Sequence, residues 1–371
     1  MRILVDYRPA LRARTGVGEY IRQMVRAYTA AHHDDVAIFT SSWKDRPSPT
    51  LATDLGTRVI DRRVPVAVLN YLWHRAGWPP VESLTGPADV VHAAHPLLIP
   101  SRRAAQVVTV HDLFFLDHPE RTRNEIRRDY PAMAGDHARR ADAVITPSRH
   151  TQTLLIERLG VARDHIYCCP PGAPVWRGLG QSPNVPSDGY ILFLGTLEPR
   201  KNVGVLLDAF TRLARLAPHA PRLVVAGGST PDAREWLERM SHEPLKRHVE
   251  YVGYVASADR ERLFAGARAL ALPSLDEGFG LPALEAMSAG VPVLASNRGS
   301  LPEVVDSGGI LLDPTDVDGW ASAIERVTTD AEWAATQGRA GIERAKAFSW
   351  NGTAIQLRQA YLDAVARRGG R

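Results

Sequence analysis

The sequence is poor in cysteine and has no long apolar run. Its 371 residues include two cysteines, Cys168 and Cys169, which are adjacent. A disulfide between neighbouring strand residues would be strained, because their side chains point to opposite faces, and no Cys-x-x-Cys or Cys/His spacing indicates zinc. We therefore expect two free cysteines buried in a strand, in a reducing compartment. Because no stretch of about 18 or more apolar residues occurs, no membrane span is expected.

Signals for secretion and for nucleic-acid binding are also lacking. The first apolar run is broken at once by Asp6, Arg8 and Pro9, which leaves too short a core for a signal peptide. The net charge of +4 is mildly basic, and no aromatic-and-basic signature indicates DNA or RNA binding. Basic residues cluster at 121–128, 139–140 and 367–371. Solvated helix faces are the favoured interpretation of these clusters, and attraction to a nucleotide or an anionic membrane is the alternative.

The order of apolar runs predicts an α/β protein with two tandem domains. Hydrophobic residues make up 44% of the chain and charged residues 23%, as in globular proteins, and the length suffices for two domains. Short β-branched runs alternate with helical stretches in both halves, which is typical of parallel sheets covered by helices on both faces. Strands are predicted at 3–6, 36–41, 89–94, 107–112, 143–146, 166–169, 190–195, 222–228, 249–255, 269–274, 291–296 and 309–314.

Two further features complete this prediction. A helix at 120–141 should be interrupted near Pro131. The segment 170–189 is rich in Pro, Gly and Ser and is predicted to be the interdomain linker and hinge. We expect two Rossmann-like domains, 1–175 and 187–349, to face a central cleft, because open α/β sheets bind ligands at the carboxyl ends of their strands.

The most informative segment is DEGFGLPALEAMSAGVPVLAS, residues 276–296. Pro282 suits the first turn of a helix, and Gly278 and Gly280 before it allow the backbone to approach a ligand closely. The backbone N–H groups and the dipole at such a helix start predict a phosphate site. Glu277 and Glu285 add carboxylates that can accept hydrogen bonds from sugar hydroxyls. An ordinary strand–loop–helix with a Gly-rich turn is the alternative interpretation.

Two other segments support a nucleotide site. GTLEPRKN (195–202) places Arg200 and Lys201 where a strand ends and a helix begins, and two cations there can neutralise a diphosphate. Alone, such a pair is usually solvated surface. TGVGEY (15–20) brings Gly16 and Gly18 to the start of the first helix, but Ile21 stands where a dinucleotide fingerprint has its third glycine. An NAD oxidoreductase is therefore disfavoured.

With these motifs the chain resembles the GT-B glycosyltransferases of family 4, which include bacterial mannosyl- and glucosyltransferases. The resemblance covers nearly the whole chain and is most specific over 277–304. Its residues are the Glu277/Glu285 pair in EGFGLPALEA, Arg200-Lys201 in EPRKN, the SNRGSLPEV segment (296–304), the Gly16/Gly18 loop, and His111-Asp112 at a strand end.

The resemblance implies a role for each site residue. Arg200 and Lys201 would bind the donor diphosphate, Glu285 the ribose hydroxyls, and Glu277 the transferred sugar. His111 would face that sugar, although a hydrogen-bonded structural histidine is the alternative. The remaining donor-binding residues would be Gly16, Gly18, Gly195, Tyr254, Val255, Gly278, Phe279, Gly280 and Leu281. The first domain would bind the acceptor, and the last helix, 350–368, would cross back onto it.

Retention of anomeric configuration is likewise implied by the resemblance. No metal or other cofactor is expected. The Asp-x-Asp pattern of Asp316 and Asp318 has a metal-binding alternative, but it begins a helix and is interpreted as an N-cap. GDP-mannose is the preferred donor and a saccharide or lipid-linked saccharide the acceptor. A UDP-sugar-dependent transferase, a GT-B nucleotide-sugar epimerase and a silent nucleotide-sugar binder stay open. The location is expected to be cytoplasmic, with peripheral attachment to the inner face of the membrane as an open alternative.

Overall fold

The computed structural model of the chain describes residues 1–11, 16–119, 124–216, 221–256 and 259–370. It divides into two compact units. The first unit comprises Met1–Gly172 and Ser349–Arg371, and the second comprises Ala173–Phe348. Each unit contains a parallel β-sheet with helices, so the predicted pair of tandem Rossmann-like α/β folds is confirmed.

The sheet of the first unit has, in its described part, seven parallel strands. They are β1 (Arg2–Asp6), β2 (Asp35–Thr40), β3 (Arg58–Asp61), β4 (Val90–Ala93), β5 (Ala105–Thr109), β6 (Ala143–Thr146) and β7 (Ile166–Cys168), in the spatial order β3-β2-β1-β4-β5-β6-β7. In the register, Val5 of β1 lies between Ile38 of β2 and His92 of β4. The chain reverses its direction of winding between β1 and β4, and such a reversal opens a crevice at the carboxyl ends of the two strands.

The helices of the first unit are α1 (Gly16–Ala31), α2 (Leu51–Leu55), α3 (Val66–Tyr71), α4 (Glu82–Thr85), α5 (Phe114–Asp117), α6 (Asn124–Arg140), α7 (Arg149–Leu159) and the last helix of the chain. A π-helical turn, Leu72–Ala76, follows α3 directly. The last helix, Trp350–Gly369, packs on α1 and buries Leu357 and Tyr361 in the first core. The expected return of this helix to the first domain is confirmed.

The second unit repeats the plan with six parallel strands in its described part. They are β8 (Tyr190–Leu194), β9 (Leu223–Ala226), β10 (Val249–Gly253), β11 (Ala267–Leu272), β12 (Val293–Ser296) and β13 (Ile310–Leu312), in the order β10-β9-β8-β11-β12-β13. Its helices are α8 (Val203–Leu216), α9 (Arg234–Met240), α10 (Arg260–Gly266), α11 (Leu281–Ser288), α12 (Leu301–Val305), α13 (Val317–Thr329) and α14 (Ala331–Ala345), which makes the last helix α15. Here the winding reverses between β8 and β11.

Two expectations about the fold need correction, and several elements were not predicted. Helix α6 runs through Pro131 without interruption, because proline removes one N–H while the residues beyond it, Ala134 and Ala138, stay buried in the core. The start expected for this helix, 120–123, lies outside the described residues. Strand β3 and the short helices between 51 and 85 were not predicted, since their segments are interrupted by Pro, Gly and charged residues.

The second correction concerns the segment 170–189. Most of it packs on the second unit instead of forming a free linker. The Trp176 indole N–H donates to Ser288 Oγ at 2.9 Å, and the Asn184 side-chain amide donates to the Phe264 carbonyl at 2.9 Å. The boundary between the two units falls instead at Gly172/Ala173 and again at Phe348/Ser349.

Candidate active site

The loop after β8 carries the two cations that the sequence singled out. Arg200 and Lys201 form a single 3-10 turn, which ends at Asn202 in the left-handed conformation (φ 52°). The Asn202 side chain donates to the carbonyls of Pro273 (3.1 Å) and Pro314 (2.7 Å), and the Arg200 carbonyl accepts from Leu275 N–H at 2.8 Å. These bonds fix the loop after β8 against the loop after β11, at the point where the winding reverses.

Glu277 lies between the two cations. Its Oε1 is 2.5 Å from Lys201 Nζ and accepts from the Ser274 hydroxyl at 2.8 Å, while its Oε2 is 3.3 Å from Arg200 Nη1. Arg200 also donates from Nη2 to Glu198 Oε1 at 2.8 Å. The side chains of Arg200, Lys201 and Glu277 are each at least 85% buried, so the cluster holds its cations in defined orientations.

Burial alone would raise the pKa of Glu277, because it disfavours the charged carboxylate. Lys201 and Arg200 more than offset this effect, and with the hydrogen bonds from Lys201 and Ser274 they hold the pKa of Glu277 below its ordinary value of 4.5. Glu277 is therefore an anion at neutral pH and keeps both cations paired.

The glycine-rich segment after Glu277 leads directly into α11. Gly280 adopts φ 91° and precedes the first helical residue, Leu281, and Pro282 occupies the first turn. A Cβ on Gly299 would lie 2.6 Å from the Glu277 backbone nitrogen, so the chain after β12 presses closely on the loop. Ser300 N–H donates to the Glu277 carbonyl at 3.1 Å. The expected arrangement of a Gly-rich loop before a helix start is present, with the cation cluster adjoining it.

Gly278 and Phe279 belong to the same loop and are buried. The Phe279 ring packs edge-on against Phe348 at a centroid distance of 5.7 Å. Gly195 directly follows β8, and the Lys201 stem passes beside it, since a Cβ there would lie 3.8 Å from Lys201 Cε. The predicted residues Arg200, Lys201, Glu277, Gly195 and 278–281 thus lie together.

Glu285 forms a separate pair. It lies on α11, is 8% exposed, and makes an ion pair with Arg260 at the start of α10. Tyr254 and Val255 follow β10 on the segment that leads towards Arg260, and Tyr254 is exposed. Sequence reasoning missed Arg260, Ser274 and Glu198. No sequence signal marked Arg260, whereas Ser274 and Glu198 stand inside or beside the motifs already noted.

The remaining predicted residues, Gly16, Gly18 and His111, belong to the first unit. Gly16 and Gly18 open α1, and the Tyr20 ring of α1 meets His111 edge-on at 5.4 Å. His111 Nε2–H donates to the Ala94 carbonyl at 3.4 Å, at the carboxyl edge of β4. Burial lowers the pKa of His111 to about 4, against its ordinary 6.5, so this imidazole is neutral at physiological pH.

His92, His95 and the aspartates of the Asp-x-Asp pattern have structural roles. His92 is buried with its ring nitrogens 2.7 Å from Tyr361 Oη and Thr109 Oγ1, and His95 Nε2 lies 3.1 Å from Asp6. The Asp316 carboxylate accepts from Gly319 N–H at 2.9 Å and caps α13, as predicted. Asp318 pairs with Arg212. Neither cysteine forms a disulfide; Cys169 is buried as expected, whereas Cys168, at the end of β7, is half-buried instead of buried.

Comparison with known proteins agrees with this arrangement. Residues 14–177 match the family model for glycosyltransferase family 4, and residues 180–344 match that for glycosyl transferases group 1. O-antigen chain mannosyltransferase B of Escherichia coli is 30% identical over 97% of this chain and 99% of its own length.

Two solved structures share the fold over nearly their whole length. Sucrose-phosphate synthase from Thermosynechococcus elongatus has a TM-score of 0.75 at 24% identity and covers 99% of both chains. Anabaena HepE in complex with UDP-glucose has a TM-score of 0.71 at 20% identity, over 97% of this chain and 98% of its own. The chain therefore belongs to the family 4 glycosyltransferases of group 1 and has the two-domain GT-B fold. Among the described residues, no helix is both long and apolar enough to cross a membrane.

Proposed function

We propose that this glycosyltransferase is a metal-independent retaining hexosyltransferase that moves mannose from GDP-mannose to a saccharide or lipid-linked saccharide. One observation carries the proposal: Arg200 and Lys201 are fixed on Glu277 beside the glycine-rich start of α11. A departing nucleoside diphosphate needs such preorganised positive charge, and cations that are already oriented lose little by reorganisation during the reaction.

The leaving group would be stabilised by two sources of positive potential. The ammonium and guanidinium groups are donors suited to phosphate oxygens, and the start of α11, where Gly280 provides no capping side chain, adds the positive end of a helix dipole. Together they would supply the charge that a metal ion supplies in other transferases. Glu285 would accept from the ribose hydroxyls while Arg260 orients its carboxylate.

The reaction would follow a front-side displacement. The bond between the anomeric carbon and the diphosphate oxygen breaks, the acceptor oxygen attacks from the same face, and its proton passes to the leaving phosphate. Among the described residues around the cation cluster, no carboxylate pair is arranged as the acid and nucleophile of a glycosidase, and the Glu277 carboxylate is held by two cations and Ser274. His111, which is neutral at physiological pH, would position a sugar hydroxyl by hydrogen bonding.

The choice of mannose rests on the similarity to O-antigen chain mannosyltransferase B over almost the full length of both proteins. A UDP-sugar is the second candidate donor, because HepE shares the fold and binds UDP-glucose. A thermal-shift comparison of GDP-mannose, GDP, UDP-glucose, UDP and NAD distinguishes them, since selective stabilisation identifies the bound nucleotide. We expect GDP and GDP-mannose to stabilise the protein; stabilisation by uridine nucleotides alone would transfer the proposal to a UDP-sugar.

Turnover separates the enzyme classes. Donor consumption that increases with added saccharide acceptor and yields a glycoside supports the transferase. Release of free sugar and UDP from a UDP-sugar, without any acceptor, would indicate a nucleotide-sugar epimerase, and binding without turnover would indicate a silent binder. Activity in EDTA should equal that without it; loss of activity that Mg²⁺ or Mn²⁺ restores would contradict metal independence.

A further inference from the structure

The segment 41–80 of the first unit places several large apolar side chains in solvent. Trp43 is 75% exposed, Trp78 63%, Tyr71 61% and Val68 50%. In the described part of the first unit, every exposed large aromatic side chain belongs to this set. We call these four residues the aromatic surface. The fold does not require these side chains for packing, because the same helical segment already packs on the core through Leu69 and Trp73.

The aromatic surface is held by the backbone at one edge of the sheet. Trp43 follows the carboxyl end of β2 in a turn in which the Ser42 hydroxyl accepts from Lys44 N–H (3.2 Å) and Asp45 N–H (2.9 Å). Ser41, just before this turn, exchanges two hydrogen bonds with Val64, at 2.8 and 3.0 Å, on the chain that leads into α3. The turn after β2 and the start of α3 are therefore neighbours.

Helix α3 and the turn after it carry the rest of the surface. Val68 and Tyr71 are three residues apart on α3 and so share one of its faces. Trp78 follows the π-helical turn, and its backbone N–H donates to the Leu72 carbonyl at 3.3 Å. Packing of Trp73 against Phe39 of β2, at 5.7 Å between ring centroids, fixes this helical segment on the sheet.

The charge around the aromatic surface has one predominant sign. Segment 41–80 contains six Lys and Arg residues against three Asp residues, and Lys44, Arg62 and Arg63 are exposed. Indole and phenol side chains partition to the boundary between lipid headgroups and acyl chains, and nearby cations are attracted to anionic headgroups.

The basic clusters noted in the sequence lie elsewhere. Arg140 ends α6 just before β6, and Arg367 of α15 donates to the carbonyls of Asp142 and Asp164, which precede β6 and β7. These arginines are therefore at the amino edge of the sheet, whereas Trp43 and Arg63 follow the carboxyl ends of β2 and β3. Side chains of the 121–128 cluster are outside the described part of the chain.

We infer that the aromatic surface, with Lys44, Arg62 and Arg63, docks the first unit on an anionic lipid bilayer. Docking brings the carboxyl edge of the first sheet, where α1 and His111 also lie, towards the headgroups. This edge then favours an acceptor saccharide carried on a lipid over one free in solution. The statement about the acceptor rests on the proposed transferase function, whereas the docking itself does not.

Flotation of the full chain with vesicles tests the docking. Vesicles of phosphatidylcholine alone are compared with vesicles that also contain phosphatidylglycerol. The wild type should float with the anionic vesicles and be released by high salt, because salt screens the attraction. The variant Tyr71→Ala/Trp78→Ala and the variant Lys44→Gln/Arg63→Gln should each bind at least about ten-fold more weakly, as expected for loss of interfacial anchors or of surface charge.

Matched controls remove exposed side chains at other places. Ile355→Ala/Leu362→Ala removes two exposed apolar side chains of α15, and Arg212→Gln/Arg247→Gln removes two exposed charges of the second unit. Both should float like the wild type. Circular dichroism and the unfolding temperature show whether each variant is folded.

Several results would overturn the docking. These are no flotation of the wild type, equal flotation of the aromatic variant, equal loss in the controls, or equal binding to neutral vesicles. Self-association of the wild type that Tyr71→Ala/Trp78→Ala abolishes would assign the surface to a second copy of the chain. Nucleotide binding, measured without vesicles, is independent of these outcomes: its absence would contradict the proposed function alone. Transfer to a soluble saccharide should be unchanged in the aromatic variant, while transfer to a vesicle-borne acceptor falls.

Discussion

The ammonium group of Lys201 lies 2.5 Å from Oε1 of Glu277, 76 residues further along the chain. The pair connects the loop after β8 to the loop after β11, across the point where the winding of the second sheet reverses. An ion pair in so buried a place costs desolvation of both partners, and it is stable here because Arg200 and Ser274 also contact the carboxylate. Glu277 therefore orients cations as well as carrying charge.

Replacing Lys201 with alanine should lower kcat on the order of 10²-fold, since a donor that stabilises the departing diphosphate acts mainly in the transition state. The donor KM should change much less. Steady-state kinetics with the identified donor measures both constants. Lys346→Ala, which removes an exposed partner of Glu343 on α14, is the control and should retain wild-type rates. Normal turnover in Lys201→Ala would remove this residue from the leaving-group site.

The acid limit of activity should depend on the same pair. Burial alone would raise the pKa of Glu277, but the two cations lower this pKa by more. The wild-type carboxylate therefore stays ionised at pH values below its ordinary pKa of 4.5. In Lys201→Met one cation is lost while burial remains, and the pKa of Glu277 should rise. The acid limb of the kcat/KM profile should then move to higher pH. An acid limb at the same pH in Lys201→Met and wild type would show that Glu277 does not govern it.

Arg260 should be required for tight binding of the nucleotide. Arg260→Gln removes the Arg260 cation from the buried Glu285 carboxylate, and loss of a charged hydrogen bond of this kind corresponds to about ten-fold or more in affinity. Arg262→Gln, an exposed position on the same helix, is the matched control. Inhibition constants for GDP and 2′-deoxy-GDP should be measured for all three proteins. The preference for the ribonucleotide should shrink in Arg260→Gln. Tighter binding by this variant would mean that Arg260 competes with the ribose for Glu285.

Local pattern was enough to predict much of the fold and of the cation site. The β-branched runs marked most strands because strands buried on both faces of a parallel sheet are apolar throughout. The helix start at α11 was visible in Gly280 and Pro282, whose backbone preferences are strong enough to act locally. Arg200 and Lys201 were recognised because they follow a strand end in an α/β fold, whose ligands bind at the carboxyl ends of its strands.

Features that depend on tertiary packing could not be predicted in this way. The Arg260–Glu285 pair could not be predicted, because no local signal marks Arg260 as the partner of Glu285. Strand β3 has half-buried residues at the edge of its sheet, so its apolar pattern is weak. Pro131 predicts a helix interruption, but packing of the residues beyond it keeps α6 continuous.

The stability of the first unit should fall on acidification because of His92. Burial, together with neighbouring His111 and His95, lowers the pKa of His92 to about 3, whereas the unfolded chain protonates it near 6.5. The folded state thus binds the proton less readily than the unfolded chain. The contribution of neutral His92 to the free energy of unfolding is therefore complete above pH 6.5 and is lost as pH falls from 6.5 towards 3. The slope contributed by one such group approaches about 1.4 kcal/mol per pH unit. His92→Gln keeps polar contacts for Thr109 and Tyr361 and should flatten this dependence, while the exposed His33→Gln should not. Urea unfolding at several pH values, with hydrogen exchange in peptides from β4 and β5 as the readout, measures how the free energy of unfolding changes with pH. Equal pH dependence in wild type and His92→Gln would show that His92 does not carry the effect.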